Sequence, residues 1–526
     1  MSINLDKSQA FDKLVSLKPY DVHSVSSERI KECSVQSASL TFNYACSPIE
    51  KKHIAVFQEI FDECQIFDKF TSLLSGDRVN TGENRAVLHH LLRGNVLGKK
   101  ILIDSVDKEE FYRIEKERIF DYATSVRNGK VLGSTGKKID TVLQIGIGGS
   151  DLGPRAMCIA LSSYAKANGI SIIQPKFISN VDPENAVNVM SDVDPETTLF
   201  ILVSKSGTTL ETLNNKDLVK TIAESKVKDK NFVFEKHLIC VTSQTSPLAK
   251  STEGAKVFYM DDYIGGRYSS TSGVGLLIMS IAYGAKVAEE FLCGAHDSDM
   301  ASYNNKVESN AASLDAFIGV YERNVLNMQS LAVLPYSEAL LRFTAHLEQL
   351  DMESNGKSVN INKEYVSYQT GPVIFGECGT NGQHSFYQHL HQSPVITPIE
   401  FIAFKNNSAI DQNGPYAPVM KEAHKKLNAN VIAQMVAFAK GATNSDSNKN
   451  FTGGRPSSLI YADELNPYTL GALLAHFENK VMFQGFIWNL NSFDQEGVQL
   501  GKKLALGVLN NTTDDTALLE FSRMLI

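Results

Sequence analysis

Long apolar runs are missing from this 526-residue chain. Its most hydrophobic stretch, residues 274–285, is interrupted by Gly275 and Ser280 and falls well short of the roughly 18 residues needed to cross a bilayer. The chain does not open on a basic start with an apolar run or on an Arg-rich amphipathic segment, so neither a secretory nor a transit peptide is expected. Cysteine is sparse and scattered, at positions 33, 46, 64, 158, 240, 293 and 378, with no Cys-x-x-Cys pair to close a zinc site or a redox loop. Reduced thiols in a cytoplasmic protein are the expectation. Positive charge is in deficit, 51 Lys and Arg against 59 Asp and Glu, and the net charge of -8 disfavours nucleic-acid backbones and anionic membranes as partners. Tandem repeats and low-complexity linkers are also absent, apart from a polar surface loop at residues 444–454. What remains is ordinary globular composition, 43% hydrophobic and 21% charged, enough for two to four packed units of roughly 150 residues each.

Residues 12–133 mix polar and apolar positions at three-to-four spacing, most clearly over 52–74 and 84–97, which predicts an all-helical arm. The pattern changes at Thr141. Short β-branched or aliphatic runs at 142–147, 170–173, 199–203 and 237–242 alternate with helical patterns, implying a parallel sheet covered on both faces. Long helical patterns resume after Gly284. A further run at 331–334 suggests a second α/β unit, followed by a core helix over 469–490 and another helix over 494–504.

Two strand-loop-helix junctions carry the chemistry. In the first, Gly146, Gly148, Gly149 and Ser150 follow a strand directly and lead into a helix, presenting backbone N–H groups where an anion or sugar oxygen is welcome. The spacing matches neither a dinucleotide fingerprint nor a P-loop, and a plain tight turn is the alternative. In the second, Ser204, Lys205, Ser206, Gly207, Thr208 and Thr209 follow the run at 199–203. Four hydroxyls there exceed the one or two that a helix N-cap uses, so the loop reads as a phosphate cradle, with Lys205 either part of it or a solvated charge. Arg267, preceded by Gly265 and Gly266, is placed to stabilise charge on a substrate oxygen or to form a surface ion pair. Glu348, Asp351 and Glu353 crowd a helix end where carboxylates are unfavourable, which asks for a general base unless the cluster is simply solvated. His384, His389 and His391 lack metal-ligand spacing, and acid-base use of one of them fits better than zinc. Gln495, Gln499 and Lys502 fall on one helix face suited to sugar hydroxyls, or to solvent.

In this order, together with residues 76–90 and the stretches around 351–357, 379–384 and 492–495, these motifs closely resemble the glucose-6-phosphate isomerase family, also called phosphoglucose isomerase. The resemblance covers nearly the whole chain. It implies an α/β fold of two sugar-isomerase (SIS) type three-layer α/β/α units with mostly parallel sheets. A helical arm (1–115) would be followed by a smaller unit (116–288) and a larger one (289–526). It further implies a homodimer whose active site is shared, the partner chain supplying the histidine of the Gly-Gln-His motif, a sugar phosphate as the only ligand, and no metal or other cofactor. By position, Glu353 matches the base that moves a proton between C2 and C1, Arg267 the group that steadies the enediolate, and His384 and Lys502 the pair that assists ring opening. Gly149, Ser150, Gln349, Gln495 and the loop from Ser204 to Thr209 match the groups that bind substrate, the loop gripping the 6-phosphate. Joint retention of Glu353, Arg267, His384 and Lys502 favours an enzyme of glycolysis and gluconeogenesis over a non-catalytic sugar-phosphate sensor. The chain departs from the family pattern at Glu496 and Gln499, at Cys378 in place of a common Pro, and at Ser206 and Gly207, whose small size is expected to widen the phosphate loop.

Overall fold

The computed structural model describes residues 3–251, 255–411 and 414–526. In chain order the strands of the described residues are β1 (Ser34–Ser37), β2 (Leu40–Asn43), β3 (Leu102–Ile103), β4 (Val106–Asp107), β5 (Thr141–Ile145), β6 (Gln174–Ile178) and β7 (Thr198–Val203). They continue with β8 (Leu238–Thr242), β9 (Lys256–Tyr259), β10 (Ser330–Pro335), β11 (Val373–Phe375), β12 (Ile399–Phe404) and β13 (Ser457–Ala462). β3 and β4 form a small ribbon, and the rest make two sheets.

The smaller sheet is wholly parallel, in the order β6-β5-β7-β8-β9. Side chains of one strand alternate between its faces. Leu199, Ile201 and Val203 of β7 pack into a core shared with Met157 and Val274, whereas Phe200 and Leu202 pack with Met190, Val219 and Ala223. Burial on both faces is why these strands read as unbroken apolar runs. From β5 the chain crosses to β6 on one side and returns to β7 on the other. The C-terminal ends of β5 and β7 therefore border the crevice that such sheets offer to ligands.

The larger sheet, β1-β2-β13-β12-β10-β11, repeats this plan: β10 lies between the edge strand β11 and β12, all parallel with β13. Its far edge is the antiparallel β1-β2 hairpin, with β2 antiparallel to β13. Behind it runs the buried helix Pro467–Ile487, packed on Ala285–Ser302 and Ala311–Asn324.

Several local expectations need correction. The arm is not all-helical, since residues 34–43 form the hairpin that completes the larger sheet. Residues 84–97 form turns, not a helix, because the side chains an exposed polar face would carry are inside. His89 and His90 are buried, and the buried guanidinium of Arg93 pairs with Asp299 at 3.1 Å and with Glu478. The strand expected at 170–173 begins at Gln174, and Pro175 is tolerated within it because β6 is an edge strand. The last amphipathic pattern starts at Gln499, after a single turn at Glu496–Val498, leaving Gln495 outside the helix.

Candidate active site

At the end of β5, Gly148 turns with φ +61° and leads through Ser150 into the helix Leu152–Ala167. A Cβ on Gly149 would overlap the Gly266 carbonyl and the Arg267 backbone nitrogen, so glycine is required where these two turns touch. Ser269 reinforces the contact, its hydroxyl lying 2.7 Å from the Gly266 carbonyl and 3.4 Å from that of Gly149.

At the end of β7, the helix Leu210–Lys226 starts with Thr209 in the N-cap position and no side chain capping it. The loop's hydroxyls thus do not cap this helix start. The hydroxyls bond one another, Ser204 with Thr209 at 3.1 Å and Thr208 with Ser206 at 3.0 Å, and accept N–H groups within the loop, Ser204 from Gly207 at 3.1 Å and Ser206 from Thr208 at 3.2 Å. Ser206 and Thr208 face solvent. Gly207, at φ +69°, lies against Ser246 and Leu248, so the space a larger residue would fill is already taken and the expected widening does not occur on that side. Lys205 is not a solvated charge: its ammonium donates to the carbonyls of Asp262 (2.7 Å) and Ile264 (2.8 Å).

Arg267 follows β9 of the smaller sheet, Glu353 follows β10 of the larger, and the two meet. The guanidinium is 1% exposed, and its Nη1 lies 3.6 Å from Oε1 of Glu353. Nε donates to the Ser354 hydroxyl (2.7 Å), and Nη2 donates to the carbonyls of Ser492 (2.6 Å) and Asp494 (3.0 Å). Glu353 ends a five-residue π-helical turn, Gln349–Glu353, that continues the helix Phe343–Glu348. Such wide turns recur at functional sites because they redirect side chains out of helical register. Glu353 Oε2 and Gln349 Oε1 are buried and have no hydrogen-bond partner among the described residues. A Cβ on Gly148 would lie 3.3 Å from the Gln349 amide nitrogen, which places that amide over the first loop.

A cavity of about 950 Å³ opens beside this pair, lined by Glu353, Gln349, Gln495, Lys357, Glu348 and Arg342 among others. Lys357 clamps its rim, bonding the Asp494 carboxylate and the carbonyls of Asn491 and Asp494. Of the expected site residues, Glu353, Gln349 and Gln495 line the cavity, Arg267 stands behind Glu353 without lining it, and Gly149 lies against the Arg267 backbone. The loop from Ser204 to Thr209 lies at the adjoining sheet end and does not line the cavity. Nor do His384, exposed on the turn Asn381–His384, and Lys502, exposed on the helix Gln499–Leu509. His391 is stacked on Phe438, with centroids 3.9 Å apart.

Sequence reasoning missed two contributors. The Ser354 hydroxyl fixes Arg267, and residues 243–246, a further hydroxyl-rich loop after β8, back the 204–209 loop through the bond from the Ser243 N–H to the Lys205 carbonyl. The second was signalled by the same strand-then-hydroxyl pattern, in Thr242, Ser243, Thr245 and Ser246.

The chain is similar to known proteins over nearly its whole length. A family model described as phosphoglucose isomerase matches residues 43–523. The chain is 50% identical to the glucose-6-phosphate isomerase of Treponema denticola, with 99% of both chains covered. It is 42% identical to that of Borreliella afzelii, over 99% of this chain and 98% of the other. A crystal structure of a glucose-6-phosphate isomerase from Chlamydia trachomatis superposes with a TM-score of 0.90 at 36% identity, covering 99% of each chain. By the span of the family match and by near full-length identity to these relatives, the chain belongs to the phosphoglucose isomerase family.

Proposed function

We propose that the protein interconverts glucose 6-phosphate and fructose 6-phosphate through an enediolate, serving glycolysis and gluconeogenesis in the cytoplasm. The observation that carries this reading is the meeting of Glu353 and Arg267, 3.6 Å apart beside the cavity. Moving a proton between C2 and C1 takes a base that reaches both carbons and a fixed positive charge near the oxyanion that develops. Glu353 Oε2, which has no hydrogen-bond partner among the described residues, is the accepting oxygen. Arg267 has its Nε and Nη2 donors committed to protein acceptors, which leaves Nη1 for the substrate side. Gln349 and Gln495 bind the sugar, Gly149 and Ser150 approach it with backbone and hydroxyl, and the loop from Ser204 to Thr209 receives the 6-phosphate at an uncapped helix start.

His384 and Lys502 assist ring opening in this scheme. Their exposure in the single chain supports a homodimer in which His384 enters the partner's site. The same reading divides the chain at residues 115 and 288, with the helix Lys108–Arg127 passing across the first division. No helix among the described residues is long and apolar enough to cross a membrane.

The direct test supplies purified protein with fructose 6-phosphate, without added metal or nucleotide, and follows glucose 6-phosphate. Rapid equilibration is expected. Failure to form glucose 6-phosphate, while the sugar phosphate still binds, would replace this reading with that of a sugar-phosphate sensor.

A further inference from the structure

The 204–209 loop contains one cation, and its side chain turns away from the hydroxyls around it. The Lys205 ammonium donates to the carbonyls of Asp262 and Ile264, at 2.7 and 2.8 Å. The carbonyl between them, on Tyr263, accepts the Leu88 N–H at 3.1 Å, and Arg85 Nη1 lies 3.4 Å from the Asp262 carbonyl. This tied segment runs directly into Gly265, Gly266 and Arg267. Within the loop, the Ser204 carbonyl accepts the Thr242 hydroxyl (2.7 Å) and the Lys205 carbonyl accepts the Ser243 N–H (3.2 Å). Lys205 thus joins two backbones that its neighbours already hold.

We propose that Lys205 is a positioning residue that ties the phosphate loop to the turn carrying Arg267, and that the phosphate itself is held by the loop's hydroxyls and helix-start N–H groups. This rests on the isomerase reading and deepens it. An ammonium has three N–H donors, and two are committed to carbonyls whose placement fixes the arginine. Burial, with the charge of Arg85 second, lowers the Lys205 pKa from its usual range, as expected for an ammonium withdrawn from solvent among acceptors. Mechanically, the strut lets binding energy from the non-reacting end of the substrate serve the reacting end. The phosphate orders its loop, the loop holds Lys205, and Lys205 holds the segment that sets the guanidinium against the enediolate.

The test compares Lys205→Met and Lys205→Arg with the unmodified protein. Three quantities are measured: steady-state kinetics on fructose 6-phosphate, inhibition by inorganic phosphate, and affinity for a phosphorylated aldonohydroxamate whose planar oxygen pair mimics the enediolate. For a strut, Lys205→Met lowers kcat about tenfold or more, and hydroxamate affinity falls by a similar factor, whereas KM and the phosphate inhibition constant stay within about threefold. Lys205→Arg keeps the charge but its planar fork does not fit two carbonyls spaced for an ammonium, so kcat falls there too while phosphate inhibition is retained. A phosphate ligand behaves oppositely. Inhibition by phosphate would weaken about tenfold in Lys205→Met and recover in Lys205→Arg, and that result, or unchanged kcat in both variants, overturns the proposal. Should Lys205→Met fail to fold, Lys205→Arg alone decides between the two. If the unmodified protein does not turn over fructose 6-phosphate, the isomerase reading fails by itself. Calorimetric affinities for phosphate and hydroxamate then still judge Lys205: loss of the hydroxamate alone supports the strut, and any other pattern rejects it.

Discussion

Arg267 directs three of its five N–H donors at protein acceptors and holds its remaining nitrogen beside Glu353. A buried guanidinium held this way cannot reorient to solvate the carboxylate fully, so its field is fixed before substrate arrives, which is the condition for electrostatic stabilisation of a developing oxyanion. Glu353→Gln removes the base and keeps the shape. Substrate affinity should persist while kcat falls about 10²- to 10⁴-fold, and full turnover in this variant would remove Glu353 from the chemistry. Ser354 tests the arginine indirectly. Its hydroxyl accepts from Arg267 Nε at 2.7 Å and lies 3.0 Å from the Tyr268 hydroxyl, all three groups being buried. Ser354→Ala leaves a charged N–H unpaired at a cost of about 1–3 kcal/mol, and released motion of the guanidinium should lower kcat about tenfold to a hundredfold with little change in KM. Steady-state kinetics check this; a change confined to KM would mean that Ser354 acts on substrate binding instead.

The element that delivers Glu353 is the π-helical turn Gln349–Glu353, and beneath it lies a buried charge cluster. The Lys480 ammonium, on the long core helix, bonds Glu400 at 2.6 Å and Asp315 at 3.0 Å, and His476 Nε2 lies 3.1 Å from Asp315. The ligand atoms of Asp315, Glu400 and His476 lie within 4.8 Å of one another, close enough to hold a metal ion, but the ammonium already bonds both carboxylates. Asp351, inside the turn, is raised to about 7 by burial, which outweighs the attraction of Lys480; the Asp315 charge adds to the rise. The folded protein therefore keeps this proton up to about pH 7, whereas the unfolded chain releases it near pH 3.9. Its contribution to stability is complete below about pH 4, erodes as pH rises to about 7, and is level above that. Asp351→Asn carries no titrating proton, so relative to the unmodified protein its Tm should improve between pH 5 and pH 8; an equal offset at both values would contradict the assignment.

Elements also mark how far the sequence was legible. Strands buried on both faces, such as β5, β7 and β8, stood out as apolar runs because no solvent-facing residue interrupts them. Edge pieces did not: β6 contains Pro175 and Lys176, and β1 and β2 are four-residue strands joined to the larger sheet only where β2 pairs with β13 far along the chain. Residues 84–97 misled because His89, His90 and Arg93 look solvent-facing until their buried partners are known. At the site, Glu353 and Arg267 were legible from residue type and motif. The wide turn under Glu353 and the inward course of Lys205 depend on tertiary contacts that local patterning does not encode.

Across the whole molecule, four parallel strands of each sheet follow the same order, and the loop after β5 of the smaller sheet lies against the turn carrying Gln349 after β10 of the larger. A single chain gathers Glu353, Gln349 and Gln495 at the cavity, with Arg267 against Glu353, but leaves His384 exposed outside it. The C-terminal helices Gln499–Leu509 and Thr516–Leu525 also expose apolar side chains, with Leu500 66% and Phe521 65% accessible. Both features fit a second copy completing the site, and mixing defective subunits tests that arrangement. In a dimer of one Glu353→Gln subunit and one His384→Ala subunit, shared sites place both defects in one cavity and none in the other. Two-fold symmetry and random reassembly then return about a quarter of full activity from two inactive parents. If each chain supplied its own histidine, every cavity in the mixed dimer would carry one defect and the mixture would stay inactive. Dissociating and recombining the two purified variants, with activity followed as the mixture reassembles, separates these outcomes, because restored turnover requires an intact glutamate and an intact histidine from different chains.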